Sequence, residues 1–238
     1  MLFPTGKRPA IESVREAVAA IDGVTISHDP EAASPANVDG RHWLEVVIDG
    51  LTFDITGLAP GSSAPLASFV QSTHAGSSGA AEAVAIVPGP HLAGGTYILP
   101  VLRGLLSLGA HLGTELHHAL AVGWPPSLNT ASTAQLGKAA ESWANGGAFP
   151  SEFLIRFERS PGGAFQSHGL SVFTGQELSL TSDIVESDDL AMRLGWRLAN
   201  QLVLLGRIEV LEEITGPDGS MLRLAPSYDG DIVEVSRC

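Results

Sequence analysis

The dipeptide Asp49-Gly50 is the feature that most constrains the fold of this chain. It separates two segments rich in β-branched and aromatic residues, Trp43–Ile48 and 51–55. A two-residue hairpin turn places its central residues at positive φ, which Asp and Gly tolerate better than most residues. The sequence therefore predicts an antiparallel hairpin here, and any fold for the chain must accommodate it.

Two helices are predicted from periodicity and from signals at their ends. Over 11–21 the apolar residues recur at helical spacing on one face, and Gly23 follows as a stop. A second helix is predicted over Asp188–Leu205, because Ser187 supplies a capping oxygen before it and Gly206 follows it. The remaining predicted elements are helices at 97–112 and 133–143 and strands at 24–27, 83–87, 118–123, 153–158, 168–172, 177–180, 207–214, 221–224 and 232–235.

The order of these elements predicts an α+β fold with mixed, largely antiparallel sheets and helices packed on one face. Strands and helices alternate over 83–143, which is typical of crossover helices on a sheet. A stretch rich in Gly, Ser, Ala and Pro, 57–82, predicts a loop or linker. It separates an N-terminal helix with antiparallel strands, 1–56, from a main α+β unit, 83–238. We expect these parts to form one compact domain.

The charge of the chain excludes several classes of partner. There are 13 Lys plus Arg residues and 26 Asp plus Glu residues, a formal net charge of −13. Nucleic acids and anionic membranes are bound through clustered cations, so the sequence predicts neither as a partner and favours a basic protein. The apolar stretch 97–112 contains Arg103 and falls short of the ~20 residues that span a bilayer. The stretch 97–112 is therefore predicted to form a helix in the hydrophobic core.

The cysteine content bears on the cellular compartment. Cys238 is the only cysteine, so the chain forms no intramolecular disulfide. The N-terminal residues lack the apolar stretch of a signal peptide. Both features are typical of a cytoplasmic protein. The sequence carries no signal for an oligomeric state.

The eight histidines are the first candidates for chemistry. His117 and His118 are adjacent at the start of a predicted strand, where neighbouring side chains point to opposite faces, so they do not share a metal ion. No G-x-S-x-G elbow is present. The best candidate for a catalytic base is His168, with Glu177 on a neighbouring predicted strand. We predict no metal site and no cofactor.

Candidate partner-binding residues lie elsewhere in the sequence. Trp124 is followed by two prolines and predicts a rigid contact surface, since tryptophan is enriched at interface hot spots; a buried core residue is the alternative. His117 and His118 join it in the candidate set through a predicted surface role. Acidic residues in 183–189 and 209–213 add a charged face.

Residues 153–180 and the C-terminal strands resemble a bacterial family catalogued as domain of unknown function 4261. The residues that match its central Gly-hydrophobic-x-x-Phe-Gly-x-x-Glu-hydrophobic segment are Gly169, Leu170, Phe173, Glu177 and Leu178. Thr174 stands where that pattern has glycine, and Ala225-Pro226-Ser227 matches a later element. The resemblance implies a fold and no activity. A fainter similarity is to bacterial suppressor-of-fused-like domains, several of which are thought to be immunity proteins of toxin systems.

Two classes of function follow from these observations. The first is a non-enzymatic cytoplasmic protein that binds another, basic protein, as an immunity-like or regulatory module. The alternative is a hydrolase whose site lies near the loop 57–82 and uses His168 and Glu177. A pocket with convergent polar groups would favour the enzyme, and a flat acidic surface with an exposed tryptophan would favour the binding protein.

Overall fold

The computed structural model describes residues 1–33, 42–66, 81–184 and 187–238. These residues form an α+β fold with mostly antiparallel sheets and helices on one face, so the predicted fold class is confirmed. The chain divides into two compact units. The N-terminal unit comprises Met1–Gly123 and Thr130–Gly147, and the C-terminal unit comprises Trp124–Asn129 and Ala148–Cys238.

The N-terminal unit contains a four-stranded antiparallel sheet and two long helices. Its helices are α1 (Ile11–Ala19), α2 (Pro30–Ala33), α3 (Leu99–Glu115) and α4 (Thr133–Ala144), with a 3-10 helix at Pro90–Gly95. Its strands are β1 (Leu2–Pro4), β2 (Val24–His28), β3 (Trp43–Ile48), β4 (Leu51–Thr56), β5 (Ala81–Ala83) and β6 (Ala85–Pro88). A hairpin of β7 (Val122–Trp124) and β8 (Asn129–Ala131) carries the chain into the C-terminal unit and back.

The sheet of the N-terminal unit has the order β2-β3-β4-β6. The predicted hairpin is confirmed: Ile48 pairs with Leu51, and Asp49 and Gly50 have φ values of 52° and 76°. Alternate residues of β3 and β4 are buried, and α1 and α3 pack on that buried face to form the core. The opposite face of the sheet carries the polar side chains of Glu45, Thr52, Asp54 and Thr56 together with Trp43 and Val47.

The C-terminal unit is built on one six-stranded sheet with the order β12-β13-β14-β11-β10-β9. Its strands are β9 (Arg156–Arg159), β10 (Phe165–His168), β11 (Glu177–Leu180), β12 (Glu212–Thr215), β13 (Met221–Pro226) and β14 (Ile232–Arg237). Its helices are α5 (Ser151–Leu154), α6 (Ser171–Thr174) and α7 (Asp188–Leu205). Only the β11–β14 pair is parallel among these strands.

Helix α7 has the predicted bounds because both ends are fixed locally. The Ser187 side chain accepts a hydrogen bond from the backbone N–H of Leu190, and the N–H of Gly206 bonds the carbonyl of Leu202. The helix packs on β9, β10 and β11 through its buried face. The other face of the sheet, where β13 and β14 present Arg223 and Glu234, is exposed.

The division into units differs from the predicted division at 57–82. Strand β6 follows that stretch and pairs with β4, which precedes it, so both sides of the stretch share one sheet. Residues 57–66 are tied down, since the Arg8 guanidinium donates to the carbonyls of Gly57 and Gly61. The part of the predicted loop at 67–80 lies outside the described residues.

Several predicted strands have different bounds in the structure. The strand at 83–87 is two strands, because β5 pairs with β1 whereas β6 pairs with β4. The strand at 168–172 is replaced by the end of β10 and by α6, and the strand at 207–214 shortens to β12. The alternation over 83–143 does not produce crossover helices, because β7 pairs with β8 and not with β6.

Candidate functional site

The two catalytic candidates lie on neighbouring strands but pair with different groups. His168 ends β10, and its Nε2 lies 2.9 Å from Oε1 of Glu158 on β9. Arg156 forms an ion pair with the same Glu158 carboxylate. His168 is therefore part of a partly exposed row of polar side chains on the open face of the sheet, and its Nε2 contacts Glu158 and not Glu177.

Glu177 is held by four hydrogen-bond donors. Its carboxylate accepts a hydrogen bond from the Ser167 hydroxyl at 2.5 Å. It also accepts three backbone N–H groups, from Gly169 at 2.9 Å, Leu170 at 3.2 Å and Ser171 at 3.1 Å. These donors occupy both carboxylate oxygens and fix the turn between β10 and α6. These contacts give Glu177 a structural role in the turn.

The turn that Glu177 holds accepts only glycine at its first position. Gly169 has a φ of +94°, and a Cβ there would lie 2.9 Å from the Leu154 carbonyl oxygen and from Cβ of Ser127. The spacing of Gly169 and Glu177, quoted above for the family resemblance, thus corresponds to one hydrogen-bonded turn. The motif encodes local structure.

His117 and His118 lie in a turn after α3 and not on a strand. The predicted strand 118–123 begins only at Val122, and His118 has a φ of +71°, which no regular strand residue adopts. Both imidazoles are exposed, in agreement with the predicted surface role. The argument from opposite strand faces was wrong for these residues, because the helix end continues into a tight turn.

Trp124 does not present its side chain to a partner. It ends β7 as predicted, but only 7% of the residue is exposed, so the core interpretation is correct and the contact-surface interpretation is wrong. Trp143 is also buried, and Trp43 and Trp196 are half-buried. None of the four tryptophans therefore provides an exposed interface residue.

Among the residues that the structure describes, the largest group of exposed apolar side chains in one short segment lies at the end of α7 and just after it. Leu204 is 76% exposed, Leu205 62%, Val210 65% and Leu211 54%. Acidic residues adjoin them in the sequence, at 209, 212 and 213. We call this segment the 204–213 surface. Exposed apolar residues that lie this close together in the sequence are candidates for an interaction site.

The fold holds this segment in place by two anchors. The buried Gln176 side chain bonds Ile208 twice: its Nε2 donates to the Ile208 carbonyl at 3.0 Å, and its Oε1 accepts the Ile208 N–H at 2.7 Å. The Arg207 guanidinium donates to the carbonyls of Gly175 and Gly230. These hydrogen bonds fix the backbone at residues 207 and 208. Val210 and Leu211 follow directly, and their side chains are exposed.

The 204–213 surface runs into an edge strand. Strand β12 is the end strand of the six-stranded sheet and pairs with β13 alone within the described chain. Its outer edge therefore offers backbone N–H and C=O groups to another strand. Glu213 faces Arg223 at 4.0 Å, whereas Glu209 and Glu212 have no ion-pair partner among the residues that the structure describes.

The sequence contains a signal for this surface. Leu202, Val203, Leu204 and Leu205 are consecutive, and four consecutive apolar residues on a helix cannot all face the core at 3.6 residues per turn. Leu202 is buried and Leu204 and Leu205 are exposed.

A second group of titratable side chains lies on the open face of the N-terminal sheet. Glu45 and Asp54 are directly opposite each other on β3 and β4, and the Asp54 Oδ1 atom is buried without a hydrogen-bond partner in the described residues. Burial, with the charge of Glu45, raises the pKa of Asp54. The Ser27 hydroxyl donates to Glu45 at 2.6 Å. Like charges directly opposite on paired strands destabilise a sheet.

Metal ligands do not cluster in the described parts of the chain. No group of three or more His, Cys, Asp or Glu side chains there is arranged to hold a metal ion. In the same residues, no helix has the length and hydropathy needed to cross a membrane. Comparison with protein-family models, with curated proteins and with solved structures found no match in any of the three.

Proposed function

We propose that this chain is a protein-binding module that binds a basic partner protein through the 204–213 surface. The observation that carries the proposal is the exposure of Leu204, Leu205, Val210 and Leu211, each between 54% and 76% exposed on an anchored backbone. Burying a Leu or Val side chain contributes about 1.5 to 3 kcal/mol. A partner that covers these four side chains therefore gains a substantial part of a specific interface.

The neighbouring charges favour the basic class of partner. Glu209 and Glu212 have no ion-pair partner within the described chain, and the whole chain has a net charge of −13. Acidic groups beside an apolar patch steer a basic partner to it and disfavour acidic ones. The open edge of β12 suits an extended segment, which would add a strand and place alternate side chains on the patch.

The contacts support this proposal over the hydrolase alternative. That alternative depends on His168 and Glu177 acting together, whereas Glu177 is held by the 169–171 turn and His168 pairs with Glu158. An immunity-like role, membership of the family named above and a cytoplasmic location remain part of the proposal. They are supported by the family resemblance and by the single cysteine.

The test is quantitative capture of partners with a C-terminally tagged chain, comparing matched serine variants. The first variant carries Leu204→Ser and Leu211→Ser in the 204–213 surface. The control is Leu190→Ser, a leucine 51% exposed in the first turn of the same helix. We expect a basic protein that the wild-type chain and the control retain, and that the double variant loses by about tenfold or more.

Two further readouts make the capture decisive. Raising the salt concentration should weaken the capture, because exposed charges are screened. Circular dichroism should show that both variants remain folded, since the replaced side chains are exposed. Equal capture by the double variant, an acidic partner, or the absence of any partner that depends on Leu204 would overturn the proposal.

A further inference from the structure

A cleft in the N-terminal unit is not used by the proposed function. It has a volume of about 540 Å³. One wall is the segment that leads into α1 together with the first turns of that helix, and the other is the turn after α3. Pockets of this size hold small molecules in many proteins.

Besides Arg8 and Ser13, the polar lining of this cleft combines three nitrogen groups with two carboxylates. The residues are Lys7, His117, His118, Glu16 and Glu115. The chain has only two lysines and eight histidines, so one lysine and two histidines meet at one cleft of a protein with a net charge of −13. This is a local concentration of groups that bind anions.

The three nitrogen groups are free to bind a ligand. Lys7, His117 and His118 make no side-chain hydrogen bond or ion pair with any residue in the described part of the chain. The neighbouring Arg8 is different, because its guanidinium donates to Gly57 and Gly61 and pairs with Glu82. Arg8 therefore shapes the wall of the cleft, while the other three remain available.

We propose that this cleft binds a small polar metabolite that carries one phosphoryl or carboxylate group together with hydroxyl or amino groups. Lys7 and the imidazoles of His117 and His118 donate to the anionic group. Glu16 and Glu115 accept hydrogen bonds from the hydroxyl or amino groups, and they repel a second anionic group. The mixed lining thus selects a polar ligand with a single anionic group.

The test follows the imidazole resonances of the full chain by NMR while three probes are added separately: inorganic phosphate, glycerol 3-phosphate and 3-hydroxybutyrate. We expect saturable shifts of His117 and His118 with at least one probe, and no comparable shift of His168. A response to the phosphates alone identifies the phosphoryl group as the anion, and a response to 3-hydroxybutyrate alone identifies the carboxylate. If the hydroxyl groups of the ligand contribute to binding, glycerol 3-phosphate binds more tightly than inorganic phosphate.

The two lysines provide a matched pair of variants. Lys7→Met should weaken binding by about tenfold or more, because it removes a charge-assisted hydrogen bond. Lys138→Met is the control, since Lys138 is exposed on α4 and does not line the cleft. Absence of saturable shifts with every probe at millimolar concentration, or equal weakening by both variants, would overturn the proposal. Both lysines are exposed, so neither variant is expected to unfold the chain.

Discussion

The two units of the chain differ in the main physical causes that shift the pKa values of their ionisable groups. In the N-terminal unit burial opposes charge: it lowers the pKa of the Met1 amino group from 8.0 to about 5 and raises the pKa of Asp54. In the C-terminal unit hydrogen bonds favour the charged form of the carboxyl groups. Hydroxyl groups first, and backbone N–H groups second, lower the pKa of three carboxyls there, those of Asp183, Asp218 and Asp229.

Hydrogen-bond donors, more than burial, explain this difference. Within the N-terminal unit, Arg15 donates to Asp29 at 2.8 Å, and this hydrogen bond lowers the pKa of Asp29. Asp54 faces Glu45 instead, and its buried Oδ1 has no donor in the described residues. A carboxylate therefore stabilises its unit where the turn or a neighbouring strand supplies donors, and destabilises it where the neighbour is another acid.

The largest effect that we expect from this comparison is a loss of stability between pH 8 and pH 5. The Met1 amino group is buried and donates to the Val84 carbonyl at 2.7 Å. Because its pKa is lower in the folded state, the unfolded state binds the proton more tightly, and the free energy of unfolding falls as the pH decreases from 8.0 to about 5. The loss is on the order of 4 kcal/mol.

Urea denaturation at a series of pH values measures this loss, on a chain whose N-terminus carries no tag. The contribution of the amino group should be constant above pH 8, where both states are neutral, and this range serves as the internal control. A free energy of unfolding that does not change between pH 8 and pH 5 would show that the amino group is hydrated in the folded state.

The next largest effect is expected for Glu177→Ala in the C-terminal unit. The substitution removes the acceptor for the Ser167 hydroxyl and for three backbone N–H groups, so we expect a loss of about 3 kcal/mol. Glu158→Ala is the matched control, because Glu158 is an exposed glutamate on the same sheet with ion-pair partners only. Its loss should stay below about 1 kcal/mol.

Thermal and urea unfolding of both variants give these values, and the imidazole resonances of His168 add a local readout. If Glu177 orients the turn and not the histidine, Glu177→Ala leaves the chemical shifts of the His168 imidazole close to those of the wild-type chain. Glu158→Ala changes them, because it removes the carboxylate that contacts Nε2. The reverse pattern would restore Glu177 as the partner of His168 and would revive the hydrolase alternative.

The elements that sequence reasoning predicted well are those whose ends depend on local contacts. The Asp49-Gly50 turn and helix α7 have their predicted positions because a positive-φ turn and two helix caps are encoded within a few residues. The strand at 83–87 was not resolved into β5 and β6 because their partners, β1 and β4, lie far away in the sequence. Strand partners of this kind have no local signal.

The candidate site was less predictable for a related reason. The 204–213 surface depends on Gln176, which fixes Ile208 from 32 residues away and leaves Val210 exposed. Glu177 belongs to a recognisable motif, but the sequence does not show that its acceptor capacity is used by the turn at 169–171. Residue types and spacing drew attention to Glu177, but they do not reveal which groups its carboxylate contacts.

The smallest effect, opposite in sign to that of Glu177→Ala, is expected for Asp54→Asn in the N-terminal unit. The amide removes the charge that faces Glu45, and its NH₂ group can donate to the Glu45 carboxylate. We expect a gain of less than about 1 kcal/mol at neutral pH, because solvent reaches part of the Asp54 side chain and screens the repulsion.

The pH dependence of this gain distinguishes the charge from a change in packing. Since the pKa of Asp54 is raised in the folded state, the wild-type chain regains stability as the pH falls from the raised value towards the ordinary value of 3.8, where the folded state takes up the proton first. The advantage of Asp54→Asn should therefore shrink over that range. Asp22→Asn, on an exposed turn, should show no such gain at any pH. An Asp54→Asn variant that loses stability at neutral pH would mean that an ionised Asp54 is supported by a donor, as the carboxylates of the C-terminal unit are.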